Sequence, residues 1–484
     1  MRIDIFNKLS SEKVRKIAIL LMVVLTIAFA YESFMLANTM QGTLGYVSDE
    51  TWYVPSSRNI LREVFKVQPS YISSDGYYHY SLFFYTPNVR DEIMPRLNDI
   101  LKTQYGGYIS MKYNKTYSVT IATQKPLNQK ALMDNITGIE LIQSGYQYPD
   151  NEGIQNYINS EHPPLVKLII GLFMMTFGDK PIVWRVPSII MGTLMLVLIC
   201  SIVYKLIRNE LIVFLVFLFA FVDSIFMAMS SIAMLDVYAA FFLTLSAWLA
   251  LRNNYFLSAI SLGLSASAKL TGVFPVIALL LYMLIIHFNI IKSFIYSLFV
   301  SFIAWVAVNS PLIIHYGIKN WIDQVQGGLR WHVSPRPEGP PVSTPWGWLY
   351  NQNPFALHFK PDVIAKVDPV IYIMALIMLV FIPYLYRKEN KKYLIPTLWF
   401  LSSFIGYIGV YFLGNKTLYS FYVITLTPMV YVLAAALIYY FTVPRTFKEA
   451  LKYYSSCIKN RLKPKVTPAQ EEKQVSPQTT QETT

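Results

Sequence analysis

Charge is what this chain is short of. Of its 484 residues only 14% are Asp, Glu, Lys or Arg, against 54% hydrophobic and 15% aromatic, and the mean hydropathy is +0.39. A soluble domain carries about 25% charged residues. The deficit excludes an ordinary water-soluble enzyme and points to a polytopic membrane protein, whose apolar surface faces lipid as well as core. Acids are scarcer than bases, 28 against 41, for a formal charge of +13. Nucleic acid is not the partner this excess asks for, because Lys and Arg sit in short loops between apolar spans and in the C-terminal tail, where membrane topology and anionic lipid headgroups place them. Cysteine is nearly absent. Cys200, inside an apolar span, and Cys457, in a basic tail, exclude a disulfide framework and have no metal-ligand spacing. Neither a Trp-Trp-Asp-type motif nor a clear Asp-x-Asp spacing occurs in the polar stretches, which ranks a lipid-pyrophosphate oligosaccharyltransferase low.

What the chain does have is apolar runs. Ten can be drawn, at 17–38, 182–206, 210–227, 235–252, 255–268, 271–288, 293–312, 368–386, 393–413 and 417–441; the fifth is short for about 30 Å of hydrocarbon. The first follows basic Lys13-Val14-Arg15-Lys16, lacks a small-residue cleavage site, and reads as an uncleaved helix. With ten spans, Arg15, Lys16, Lys205, Arg208, Arg252, Lys292, the 387–392 cluster and the 445–465 tail fall on one side, cytoplasmic by the positive-inside rule. Both termini are then cytoplasmic, and the long polar stretches 39–163 and 313–367 face outward from a multi-pass protein of the cell membrane.

The expected organisation is a first helix and acidic loop (1–65), an outer α+β insert (66–145), an interfacial helix and transmembrane core (146–312), an outer loop (313–367), C-terminal spans (368–445), and a tail that is basic and then disordered (446–484). Within the insert the periodicity predicts a strand over 78–86, a helix over 89–105, strands over 108–113 and 116–123 around Asn114-Lys115, a helix over 127–136 and a strand over 139–143. This βαββαβ order is the ferredoxin-like arrangement; it holds no catalytic constellation and reads as a spacer or docking module. The stretch 161–178 opens with His-Pro-Pro and contains Lys167, so it suits a helix lying on the outer leaflet. Trp331, Pro335, Pro337, Pro340, Pro341, Trp346 and Trp348 mark an ordered loop that covers a site at the membrane surface.

Ionisable groups at the edges of spans are costly and therefore candidates for function. Asp49 and Glu50 stand a dozen residues after the first span. Arg185 sits at the outer end of the second span, Asp236 at the outer start of the fourth, and Lys269 at the outer turn between the fifth and sixth. Lys416 and Tyr419 come at the outer end of the last hairpin. Singly, each reads as a snorkelling or topology-fixing residue. Gathered on one surface, the cations can hold a lipid-linked phosphate, and a carboxylate can take the proton of an incoming hydroxyl.

The chain also resembles the dolichyl-phosphate-mannose protein mannosyltransferase family, integral-membrane glycosyltransferases of the GT-C class, and especially its archaeal branch. The matching stretches are Asp49-Glu50-Thr51-Trp52-Tyr53-Val54 with Ser57-Arg58-Asn59-Ile60-Leu61, Glu161-His162-Pro163-Pro164-Leu165-Val166-Lys167, and Gly178-Asp179. They continue with Trp184-Arg185-Val186-Pro187-Ser188, Ile232-Ala233-Met234-Leu235-Asp236, and Lys269-Leu270-Thr271-Gly272-Val273-Phe274-Pro275. The resemblance implies a mainly α fold and a polyprenyl- or dolichyl-phosphate sugar donor. It implies Asp49 as the base, Glu50 orienting acceptor or donor, and Arg185 on the donor phosphate with Lys269 beside it. Arg58, His162, Lys167, Asp236, Lys416 and Tyr419 are further site candidates, His162 equally a structural cap. The 66–145 insert and the lack of a β-trefoil insertion set the chain apart and bear on the acceptor.

The expected chemistry is an inverting transfer of mannose or another hexose to a hydroxyl of an extracytoplasmic protein. No cofactor is required; a divalent metal, if bound, would sit at Asp49-Glu50. A glycolipid or glycan acceptor, as in the related aminoarabinose lipid A transferases, is the nearest alternative. A secondary transporter is the alternative from another class, disfavoured because the polar groups gather at one face.

Overall fold

The structure is a computed structural model that describes residues 12–40, 45–69, 76–112, 117–145, 157–334, 341–387, 391–442 and 444–462. The Asn114-Lys115 turn, prolines 335, 337 and 340, and the tail from Pro464 lie outside these residues. A helix runs through each of the ten apolar segments. The first is α1 (Glu12–Thr39), and α2 (Glu50–Glu63) follows the acidic pair. After the insert come α5 (Leu165–Phe177) and α6 (Pro181–Ile207), then α7 (Glu210–Val222), α8 (Ser224–Ser230), α9 (Leu235–Leu251), α10 (Tyr255–Ala268) and α11 (Pro275–His287). A single rod, 290–316, joins α12 (Ile290–Phe294) to α13 (Ser301–Tyr316) through a π-helical turn. Then follow α14 (Ile318–Val333), a hairpin of β5 (Phe355–Phe359) and β6 (Asp362–Ala365), α15 (Pro369–Arg387), α16 (Leu394–Phe412), α17 (Thr427–Phe441) and α18 (Pro444–Leu462).

Among the described residues six helical segments are long and apolar enough to cross a membrane, and α7 with α8, bent by 72°, makes a seventh if the pair is one span. The remaining three places of the ten-span reading fall to α9, α10 and α17, of 17, 14 and 15 residues. These three are the buried centre. Their serines and alanines let backbones approach closely where no water is present to drive packing. Ser261 and Ser265 Oγ donate to Phe242 and Ala239 O at 2.7 and 2.9 Å, fastening α10 to α9. A helix that is central has lipid on neither side, so it can be shorter than the bilayer is thick.

The insert comprises β1 (Tyr78–Phe84), α3 (Pro87–Tyr105), β2 (Tyr108–Lys112), β3 (Ser118–Thr123), α4 (Gln129–Asn135) and β4 (Ile139–Ser144), in antiparallel order β2-β3-β1-β4. Thr86 caps α3 by accepting from Val89 N, and Gly106 ends it in the left-handed region. Alternate residues Tyr80, Leu82 and Phe84 meet Leu97, Leu101, Val119, Ile121 and Ile142 in a core separate from that of the spans. Its last strand is bonded to α2: Gln143 Nε2 donates to Asn59 Oδ1 at 3.1 Å. The insert therefore rests on the helix that the acidic pair begins.

Candidate active site

The acidic pair heads α2, where the partial positive charge of the helix end favours carboxylates. Asp49 is the N-cap and Glu50 the first residue. Their side chains part company at once. Glu50 is fully buried and its two oxygens receive four donors: Arg185 Nε (2.8 Å) and Ala233 N (2.8 Å) on Oε1, Arg185 Nη2 (2.8 Å) and Val47 N (2.9 Å) on Oε2. Arg185, from the first turns of α6, also donates to Ala37 O, Met40 O and Gly45 O at 2.7, 3.0 and 2.8 Å. A guanidinium has five N–H groups, and all five are used. The expected grip of Arg185 on a donor phosphate, and an orienting role for Glu50 on a substrate, do not fit this engagement. The pair instead stitches the end of α1, the following turn, α2 and the approach to α9 into one unit.

Arg58 is also inward. Its Nε and Nη2 donate to Asp179 at 2.5 and 2.9 Å and its Nη1 to Tyr46 Oη at 2.5 Å, while Trp184 Nε1 donates to Asp179 at 2.7 Å. Tyr46 and Trp184 stack at 4.9 Å, with the guanidinium carbon 5.2 Å from the Trp184 ring centre. Lys167, in α5, spends its ammonium on the carbonyls of Ile158, Asn159 and His162 at 3.0, 2.6 and 2.8 Å. It shapes the 158–162 turn and is not a ligand-facing cation.

A second cluster is less complete. Lys269, capping α10, donates to Asp236 Oδ1 at 2.6 Å and lies 3.6 Å from the Tyr422 ring centre. Asp236 Oδ2 is buried without a hydrogen-bond donor, as are the hydroxyls of Ser48 and Thr51 on either side of Asp49. Such orphaned groups are rare in satisfied interiors. Asp49 is half-buried and accepts only a long bond from Tyr53 Oη, 3.3 Å. Burial pushes its carboxyl up to about 6; the Lys269 ammonium and the Tyr53 hydroxyl pull it down, and the Asp236 charge pushes it up again. That value suits a base working near neutral pH. Tyr53 meets His162 edge-on at 5.8 Å.

Through Lys269, Tyr422 and His162 the cluster adjoins a cavity of about 1210 Å³, walled by apolar residues of α10, α11, α13 and α16 such as Leu262, Val276, Phe302 and Val410. His162, Lys269, Thr271, Ser301, Arg330, Asn415 and Tyr422 are the polar residues among its lining. Lys416 does not join them: it is exposed and turned back, donating to Tyr411 O at 2.9 Å over that residue's ring. Tyr419 packs on Phe355 and Tyr422 at 5.1 and 5.9 Å, beside the site. Sequence reading missed Tyr53, Tyr422 and Arg330. A helix starting at Glu50 would have pointed to Tyr53, four residues from Asp49.

The sequence pattern of the family described as dolichyl-phosphate-mannose-protein mannosyltransferase matches residues 161–315. That segment is about a third of the chain. The match takes in His162, Lys167, Asp179, Arg185, Asp236 and Lys269, while Asp49 and Arg330 lie outside it. A polyprenol-phosphate-mannose–protein mannosyltransferase of Corynebacterium glutamicum is 20% identical over 57% of this chain and 69% of its own length. The solved structure of ArnT from Cupriavidus metallidurans bound to undecaprenyl phosphate is similar over 90% of this chain, with 13% identity and a TM-score of 0.49. This chain spans about 63% of the length of that one.

Proposed function

We propose that this mannosyltransferase-family protein moves a hexose, mannose by the name of its relative, from a polyprenyl or dolichyl monophosphate to a hydroxyl of an extracytoplasmic protein. One observation carries the reading: a half-buried carboxylate with a single long hydrogen bond, Asp49, lies within electrostatic reach of Lys269, which lines a large apolar cavity. The apolar walls of the cavity suit a prenyl chain, which enters from lipid and gains van der Waals packing there. The basic short loops and tail at the opposite end of the spans support a site on the outer side of the membrane.

Asp49 accepts the proton of the acceptor hydroxyl as its oxygen forms a bond to the anomeric carbon. The bond from that carbon to the phosphate oxygen breaks, and its electron pair leaves on the lipid phosphate. Attack comes from the face opposite the phosphate, so configuration inverts. Lys269, held at 2.6 Å by Asp236, offsets the charge that develops on the leaving group, the contribution that usually dominates. A metal at Asp49-Glu50 does not fit the residues, because four donors occupy the Glu50 oxygens; among the described residues no three His, Cys, Asp or Glu side chains are grouped to hold an ion.

The test is to incubate membranes with polyprenyl-phosphate mannose carrying a labelled sugar. Label should enter protein. Label in a glycolipid would redirect the acceptor, and ion-driven uptake without transfer would replace the reading with a transporter.

A further inference from the structure

The charges around the cavity do not add up to an anion site unless one more residue is counted. Four cations nearby are committed to the protein itself. Arg185 has spent five N–H groups, Arg58 is matched by Asp179, Lys167 sits on three carbonyls, and Lys269 is matched by Asp236. A monoanionic phosphodiester entering beside Lys269 would meet two carboxylates, Asp236 and Asp49, and a single ammonium. Repulsion of this kind would weaken a donor site built on Lys269 alone.

We infer that Arg330, on α14, is the second cation of the donor-phosphate site. This inference rests on the lipid-phosphate reading above. Arg330 lines the cavity together with Val325 and Leu329. Its side chain is exposed, and it forms no ion pair among the described residues. The helix that carries it is fixed in place. Trp321 packs on Trp305 at 5.2 Å and donates Nε1–H to Asn309 Oδ1 at 3.3 Å. Gly328 lies so near the His162 turn that an added Cβ would stand 2.7 Å from Glu161 Cα. The arginine therefore stands at a set place on the cavity rim, and the guanidinium can take two phosphate oxygens at once where the ammonium of Lys269 takes one. Lys269 holds the charge deep in the cavity, and Arg330 closes on it from the rim.

Binding of undecaprenyl phosphate and of its neutral alcohol, undecaprenol, to the detergent-solubilised protein separates the phosphate's share from the chain's. The native protein should prefer the phosphate. Arg330→Gln should lose about tenfold or more of that preference with alcohol binding unchanged, and Arg330→Lys should recover part of it. Lys319→Gln, an exposed cation on the same helix but outside the cavity, should change nothing. An undiminished preference in Arg330→Gln, or an equal loss in Lys319→Gln, overturns the assignment. A native protein that does not discriminate phosphate from alcohol would instead sink the donor reading itself.

Discussion

Around Glu50 every carboxylate oxygen has two donors, whereas one residue earlier Asp49 has one long bond and two neighbouring hydroxyls have none. The same contrast separates Arg185, with each N–H satisfied, from Lys269, whose partner Asp236 keeps an oxygen unmet. Buried polar groups left short of partners cost about 1–3 kcal/mol each; they also occur away from Asp49, at Thr193 and Ser403, so it is their grouping beside an underbonded carboxylate that singles this place out. On the proposed reading the complete network is scaffold and the incomplete one is the site. An acidic pair at a membrane edge looks like one motif and is two parts with different duties.

The largest test of this division is Asp49→Asn. It preserves shape and removes the base, so transfer should fall by roughly 10²–10⁴-fold, the usual worth of general-base catalysis, with donor affinity retained. Native-rate transfer by this variant would erase the distinction between the two acids. Next comes Arg185→Met. It strands the buried Glu50 carboxylate and should cost about 3–5 kcal/mol of stability, seen in detergent as a lower unfolding temperature. Should the protein keep its stability and lose only donor affinity, Arg185 belongs to the site after all.

A smaller effect is expected at the seam between the insert and the core. Gly145, just after β4, has φ +94°, and a Cβ there would collide with Asp179 Oδ2 beside Arg58. Gly145→Ala should therefore disturb the Arg58–Asp179 pair at about 1–3 kcal/mol. The same variant tells whether the insert is a loose spacer, in which case stability would not move.

Much of this architecture was legible because it rests on periodicity. Apolar runs and the alternation of Tyr80, Leu82 and Phe84 need no tertiary information to be read, and the order of the six insert elements follows from them. The cluster of Asp49, Asp236 and Lys269 was legible as residue types too expensive for their places. The role of Arg185 was not. A phosphate and a set of backbone carbonyls ask for the same guanidinium, and only the tertiary placement of Ala37, Met40 and Gly45 against it decides between them. Arg330 was invisible for the opposite reason: an arginine on an outer amphipathic helix is ordinary until a cavity is found beside it.

The finest discrimination is by pH. Burial pushes the Asp49 carboxyl up to about 6, and a base must be ionised to act. Transfer should be level above neutrality and fall about tenfold per unit once pH drops well below 6, because the raised carboxyl is then protonated. The hydroxyl of Tyr53 favours the charged form of Asp49, so Tyr53→Phe should move the limb toward higher pH. At pH 6 that amounts to about a twofold loss of rate, the low end of a hydrogen bond's worth for a contact of 3.3 Å. A rate–pH profile of the two proteins measures it. A limb that stays put on loss of the hydroxyl would mean that Tyr53 serves its neighbour His162 and not the base.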